Sequence, residues 1–311
     1  MAASTTGTDT VPAMSRAQKG DLARSEARAA WLFLLPSLLL FGVFTAWPVV
    51  SAFLISFEHW DLFNPPKFAL FDNYVALWND PIFHQVLGNT GYYVAAAVPL
   101  QMLCGLLCAL GLNRGVPGQA ALRVIYFLPV VTSTVAAGLV WAWLFNSNFG
   151  LINMGLSLFG VTELPKWLIS SKFAMPAVIA VSVWQGLGYS MVLFLAGLQN
   201  IRQDLYEAAA IDGATGWSRF WHITLPLLSP MTFFVLIISI IGSFQVFELV
   251  YVMTKAGPSN ATNTLVYFIY QNGFMFYQMG IATAGAMVLF LIVLVLTLVQ
   301  YQLQNRWVHY E

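Results

Sequence analysis

A chain of 311 residues with 59% hydrophobic and only 8% charged side chains is not a soluble domain, where roughly a quarter of residues carry charge. The formal net charge is zero, from thirteen Lys and Arg against thirteen Asp and Glu, so no basic field argues for nucleic acid. The composition is that of an integral membrane protein.

Residues 1–30, rich in Ala, Ser and Thr, are expected to form a flexible cytoplasmic tail. Residues 31–304 read as an all-α membrane domain, followed by a short cytoplasmic end at 305–311. Six segments are long and apolar enough to cross ~30 Å of hydrocarbon as helices. They are approximately Trp31 to Phe57, Gly88 to Leu112, Leu122 to Phe145, Phe173 to Leu198, Ile223 to Met253 and Gly280 to Gln304. The first has a long basic leader and no small-residue cleavage site, so it reads as an uncleaved anchor. Cys104 and Cys108, one turn apart in an apolar run, supply neither four metal ligands nor a CxxC and read as small core residues.

Basic residues are retained on the cytoplasmic side of bacterial-type membranes. Arg16, Lys19, Arg24, Arg28, Arg114, Arg123, Arg202, Arg219 and Arg306 fall on one side, and only Lys67, Lys166, Lys172 and Lys255 on the other. Both termini are therefore expected in the cytoplasm, with Trp60, Trp78 and Trp167 on the far-side loops. Between the third and fourth spans, GLINMGLSLFG has apolar residues at near-helical spacing; it is either a helix lying on the outer surface or a packed connector.

The polar stretch EAAAIDGATGWSRFWHITLP, Glu207 to Pro226, interrupts two spans on the cytoplasmic side, in a loop over 199–222. Its chemistry predicts two short helices broken at a hinge. Asp204 and Glu207 are spaced as a capping box, Ala208 to Ala210 favour helix, and Gly213 supplies a left-handed turn. Thr215 then caps a second helix carrying Trp217, Phe220 and Trp221. A helix pair exposed at a membrane surface is suited to being gripped by another protein.

No GxxxxGK[ST] occurs, so ATP dependence would have to come from a partner. No HExxH, paired intramembrane carboxylate or Ser/His/Asp arrangement is present, so the chain reads as a transport subunit and not an enzyme. Glu248 is the one acid placed clearly within a span, and its cost in lipid requires it to face the bundle interior or an aqueous path. With Gln245 and Tyr251 three residues to either side, that face either hydrogen-bonds a polar solute or bonds a neighbouring helix. Trp184, Gln185 and Tyr189 form a second polar stripe, for sugar contact or for helix packing.

Glu207-Ala208-Ala209, Asp212-Gly213-Ala214, Ile223 and Leu225-Pro226, with nine residues between Gly213 and Ile223, resemble the EAA loop of permease subunits of binding-protein-dependent ABC importers. FLLPSLLLFGVFTAWPVV, NFGLIN and FELVYVMTKAGPSNATNTLVYFIY are similar to the carbohydrate-uptake, maltose-permease-like branch, with Glu248 where many relatives carry Asp. The resemblance implies six spans and a cytoplasmic coupling helix between the fourth and fifth. In that helix Glu207 would make a polar contact, Ala208 and Ala209 would allow close approach, and Gly213 would permit the turn. It also implies a second, different permease, two copies of a cytoplasmic ATPase that bind ATP and Mg, and an extracytoplasmic solute-binding protein. No cofactor is expected in this chain. The solute would be a sugar, a polyol or a compound such as glycerol phosphate. The alternative class is an ion-coupled secondary transporter or channel, which needs charge relays that one intramembrane acid does not provide.

Overall fold

The computed structural model describes residues 16–115 and 117–307, and the chain divides after Ala52 into two compact units. The first unit holds helix α1 (Arg16–Phe41), a π-helical turn over Gly42–Ala46, and most of α2 (Trp47–Ile55). Pro48 has no N–H to offer the Phe44 carbonyl, and the turn preceding it widens to π spacing. Residues 16–30, expected within a flexible tail, are instead helical: RAQKGDLARSEARAA is dominated by strong helix formers. The remainder of that tail, residues 1–15, and the final residues 308–311 lie outside the described residues.

The second unit opens with a short antiparallel hairpin, β1 (Glu58–His59) on β2 (Lys67–Phe68), and α3 (Asp72–Asn79). There follow α4 (Pro81–Leu112), α5 (Gln119–Val131), α6 (Thr134–Leu144), α7 (Leu151–Leu158) and α8 (Ala174–Asn200). Next come α9 (Gln203–Ile211), α10 (Gly216–Arg219), a π turn over Phe220–Thr224, α11 (Leu225–Leu227) and α12 (Ser229–Phe244). The chain closes with α13 (Glu248–Met253), α14 (Leu265–Tyr270), a π turn over Gln271–Met275 and α15 (Met279–Trp307).

Among the described residues, four stretches are single helices long and apolar enough to cross a membrane: 26–55, 81–112, 174–200 and 279–304. The other two expected spans are bent pairs. The third turns through 97° between α5 and α6, because Pro129 weakens the last turn of α5 and Ser133 starts a new helix by accepting from Ala136 N at 3.5 Å. The fifth bends by 64° at Leu228, between α11 and α12. It then stops at Phe244, leaving residues 245–247 outside the helix before α13 resumes. The expectation of one continuous helix from Ile223 to Met253 is therefore corrected. Val246 instead gives its carbonyl to the Thr264 hydroxyl at 3.1 Å, a tertiary bond that no local pattern announces.

The tightest pairing joins α4 and α8, where small residues let the backbones approach. A Cβ on Gly105 would lie 2.6 Å from that of Ser190, and one on Gly186 would overlap the Gln101 amide. Gln101 Nε2 donates across this seam to Ser190 Oγ at 3.1 Å and to the Gly186 carbonyl at 3.3 Å. Residues 254–264 fold back onto the bundle, with Lys255 and Ser259 exposed and Ala256, Thr262, Asn263 and Thr264 buried. Helix α4 satisfies their backbone: Asn89 donates to the Asn260 and Asn263 carbonyls at 2.7 and 3.0 Å, and Thr90 Oγ1 accepts from Leu265 N at 2.9 Å.

The GLINMGLSLFG segment is helix α7. Asn153 on its buried side accepts from Trp167 Nε1 at 2.8 Å, while Leu151, Met154 and Leu158 stand exposed on the other side. An apolar face turned away from its own bundle fits the surface-lying reading better than the packed connector.

Candidate transport cavity and cytoplasmic loop

Two sites follow from this frame. The first is the loop between α8 and α12. Helix α9 begins after Arg202, whose backbone is extended and whose side chain makes no cap, so the expected Asp204/Glu207 capping box is absent. Asp204 lies in the first turn and pairs with the Arg202 guanidinium, whose hydrogen bond holds its carboxyl below the usual range. The helix ends at Gly213 with φ of +78°, and Ala214 N reaches back to the Ala209 carbonyl at 2.9 Å, closing a left-handed turn. Nothing lies within 4 Å of where a Gly213 Cβ would sit, so the glycine is there for its backbone and not for space. Thr215 caps α10 by accepting from Ser218 N at 3.3 Å.

The nine loop residues singled out from sequence divide in two. Glu207, Ala208, Asp212 and Gly213 are exposed, with Ala209 and Ala214 half-buried beside them. Ile223, Leu225 and Pro226 are half-buried at the foot of the fifth span, where Ile223 packs on a core containing Leu198, Ile201 and Leu228. One residue joins the halves and was missed: Tyr206 packs into that core, and its hydroxyl shares a 3.0 Å hydrogen bond with Thr224 Oγ1. Exposed apolar side chains flank the loop, Ile211 at 88% and Trp217 at 71%.

The second site is an open cavity of about 440 Å³ lined by α4, α8, α12, the starts of α6 and α13, and the break between α12 and α13. That volume lies within the usual range for small-molecule sites. Of the six pathway residues singled out, Gln185, Tyr189, Gln245 and Glu248 line it. Gln245 and Glu248 do not share a helical face as expected, since Gln245 follows the end of α12 and Glu248 starts α13; they meet because the chain breaks between them. Non-helical backbone at this depth is tolerated where it lines a cavity. Gln185 has a structural duty as well, donating to the Thr132 carbonyl at 3.4 Å and Thr134 Oγ1 at 3.1 Å, which steadies the bend of the third span.

Trp184 and Tyr251 do not line the cavity. Trp184 packs edge-on against Trp141 at 5.3 Å, and Tyr251 joins an aromatic group with Phe247 and Tyr270. The lining also includes Tyr93, Gln101, Thr134, Ser182, Ser239 and Ser243. Tyr93 donates to Ser182 Oγ at 2.6 Å. A signal for these existed: Ser182, Gln185, Gly186 and Tyr189 share one face of α8 by helical spacing, as do Ser239 and Ser243 on α12. The lining offers hydroxyls, amides and one carboxylate, with no Lys or Arg. Such a wall hydrogen-bonds a neutral, hydroxyl-rich solute.

Another pocket, of about 750 Å³, lies between the β1–β2 loop and the start of α15. His59, Trp60, Asp61, Asn64 and Lys67 line it. Asp61 accepts from the backbone and side chain of Asn64 and from Phe63 N, which holds its carboxyl below the usual range.

Apolar spans, a cavity with hydroxyl, amide and carboxylate groups in its wall, and an exposed helix pair between two spans define a membrane transport component. The chain belongs to the family of binding-protein-dependent transport system inner membrane components, whose pattern covers residues 101–309, and is a permease subunit of an ABC importer. It is 37% identical to the arabinooligosaccharides transport system permease protein AraP of Bacillus subtilis (strain 168), over 92% of this chain and 92% of that protein. It is 35% identical to the sn-glycerol-3-phosphate transport system permease protein UgpA of Brucella abortus biovar 1 (strain 9-941), over 90% of this chain and 96% of that one. Its fold is shared with a crystal structure of a bacterial ABC transporter involved in the import of the acidic polysaccharide alginate, with a TM-score of 0.80 and 24% identity over 92% of this chain and 98% of that one.

Proposed function

We propose that this permease takes up a neutral sugar or related polyol by alternating access, driven by ATP hydrolysis on partner subunits. The cavity carries this reading: its wall of hydroxyls and amides with no basic residue matches an uncharged polyhydroxyl solute. Gln185, Tyr189, Gln245 and Glu248 contact the solute, joined by Tyr93, Ser239 and Ser243. Trp184 supports the wall from behind by packing on Trp141. The resemblance to AraP supports the sugar class.

Helix α9 is the coupling helix. Glu207, Ala208, Ala209, Asp212, Gly213 and Ala214 meet a cytoplasmic ATPase, while Ile223, Leu225 and Pro226 root the loop in the fifth span. Two ATPase copies bind ATP and Mg, a second permease completes the pathway, and an extracytoplasmic solute-binding protein docks on the far-side loops near His59, Trp60 and Lys67. Both termini face the cytoplasm, as the distribution of Arg and Lys supports.

Glycerol phosphate is the second reading, favoured by the likeness to UgpA but opposed by a cavity wall without Lys or Arg. The test is to tag the chain, purify it gently from its native membrane and identify what accompanies it. Recovery of an ATPase, a second permease and a solute-binding protein is expected, and that binding protein is then screened against neutral sugars and glycerol 3-phosphate. Repeated recovery of the chain alone, or binding of glycerol 3-phosphate with no sugar, would overturn the proposal.

A further inference from the structure

The polar groups of the cavity differ in what each can still offer a solute once its bonds within the chain are counted. A primary amide has two N–H donors and one carbonyl acceptor. Gln101 gives both hydrogens to α8, one to Ser190 Oγ at 3.1 Å and one to the Gly186 carbonyl at 3.3 Å. Gln185 gives both of its own to the bend of the third span, at the Thr132 carbonyl and Thr134 Oγ1. A main-chain carbonyl can only accept, so each amide is fixed with its nitrogen on that side and its oxygen away from it. Neither Oε1 accepts a hydrogen bond among the described residues, and neither is sealed from solvent.

The Gln101 oxygen also has a glycine beside it. A Cβ on Gly186 would stand 2.6 Å from it, and Gly186 lines the cavity too, so any larger residue there would cover the acceptor or push it aside. Glu248 on the same lining is, as a carboxylate, an acceptor only. Opposing these three there is no side chain that can only donate, since the lining holds no Lys, Arg or Trp. The hydroxyls of Tyr189, Ser239 and Ser243 can turn either way. Ser182 is biased toward donating, because it accepts from Tyr93 and keeps its own proton to give. The fixed polarity of the wall is therefore predominantly that of an acceptor.

We propose that Gln101 is a specificity-determining residue of this permease, and that Gln101, Gln185 and Glu248 accept hydrogen bonds from solute hydroxyls. The cavity then selects its sugar by the hydrogens the sugar donates and not by the lone pairs it exposes. This deepens the sugar reading above and rests on it. Replacing a hydroxyl by fluorine keeps lone pairs and much of the size but leaves no hydrogen to give. The wall should treat a deoxyfluoro sugar as it treats the deoxy sugar.

The experiment uses the whole importer in lipid vesicles, with its second permease, its ATPase and its binding protein. Neutral arabino- and gluco-disaccharides are taken up in competition with their monodeoxy and monodeoxyfluoro analogues. The binding protein's own preference between parent and analogue, measured on the isolated protein, is divided out. At the hydroxyls that the wall reads, both replacements are expected to lower relative uptake about tenfold, fluorine no less than hydrogen. Gln101→Met and Gln185→Met keep the side-chain length without the acceptor, and each is expected to shrink the loss to about twofold at its own hydroxyl. Three results would each overturn the inference: no loss at any hydroxyl, fluoro analogues carried as well as the parent where deoxy analogues are rejected, or losses identical in wild type and both Met variants. Should Gln101→Met lose the α4–α8 seam and fail to assemble, the fluorine comparison in wild type and the Gln185→Met variant decide. A wild-type importer that carries none of the neutral sugars removes the sugar reading itself.

Discussion

The hydroxyls of Tyr206 and Thr224 lie 3.0 Å apart and tie the exposed helix α9 to the foot of the fifth span. Thr224 is buried and sits at the end of a π turn, a local widening often found at functional sites. Movement of α9 would therefore be handed to the span through a bonded pair as well as through packing. Tyr206→Phe keeps the ring in its core and removes about 0.5–1.5 kcal/mol of hydrogen bonding. The expected phenotype is an assembled importer whose ATP hydrolysis responds less to solute-loaded binding protein. An unchanged ratio of transport to hydrolysis would show that packing alone carries the motion.

Gly213 is predicted to tolerate Asn and to reject Val and Pro. Its φ of +78° suits Gly or Asn, while the space around its Cβ position is empty. Gly213→Asn should transport near the wild-type rate. Gly213→Pro and Gly213→Val, straining the turn by about 1–3 kcal/mol, should insert normally yet retain less ATPase on purification. If Asn fails as badly as Val, close approach of a partner and not backbone conformation explains the glycine.

Glu207→Lys reverses charge on an exposed helix position without touching the core. Insertion and thermal stability should stay within about 0.5 kcal/mol of wild type, while uptake falls and hydrolysis loses its link to solute. Normal uptake in this variant would remove Glu207 from the coupling surface.

Glu248→Gln retains a hydrogen-bonding group of the same shape at the cavity wall and removes the charge. Uptake measured across solute concentrations should show a raised half-saturation point with basal ATP hydrolysis intact. Glu248→Ala should be worse, since it deletes the acceptor as well. Wild-type behaviour in both would make the residue structural.

The Asp204 carboxyl is held below its ordinary value of 3.8 by the Arg202 hydrogen bond. A group whose pKa is depressed on folding contributes above its unfolded pKa and loses that contribution as pH falls through the folded value. The Arg202–Asp204 pair should therefore be pH-independent between about pH 5 and 8. ATPase retention by the permease, measured across that range, should not distinguish wild type from Asp204→Asn by slope. A slope that differed between the two would mean another group sets the pairing.

Features encoded by a few adjacent residues were legible without a structure. Gly213 and Thr215 announce a turn and a cap through their own chemistry, and the structure has both. The apolar runs of α4, α8 and α15 are equally plain. The break at residues 245–247 was not, because the run around it is apolar and free of Pro, and the bond that stabilises it comes from Thr264. Pathway residues suffered for the same reason. Helical spacing puts Gln245 and Glu248 on one face that the broken helix does not form, yet both reach the cavity. Trp184 is next to Gln185 in sequence but about 100° around the helix from it, and Trp141 claims its ring.

The segment 254–264 has an implication for how the protein is made. The Asn260 and Asn263 carbonyls and the Leu265 N–H are satisfied by Asn89 and Thr90 of α4, and lipid offers no substitute partners. The segment can settle at its depth only once the second membrane helix already stands beside it. Biogenesis thus acquires an order: this segment waits on a helix synthesised some 170 residues earlier, as the separations of 171 to 175 residues in these bonds record. Losing Asn89 and Thr90 together should leave a protein that is translated in full and degraded before it is assembled.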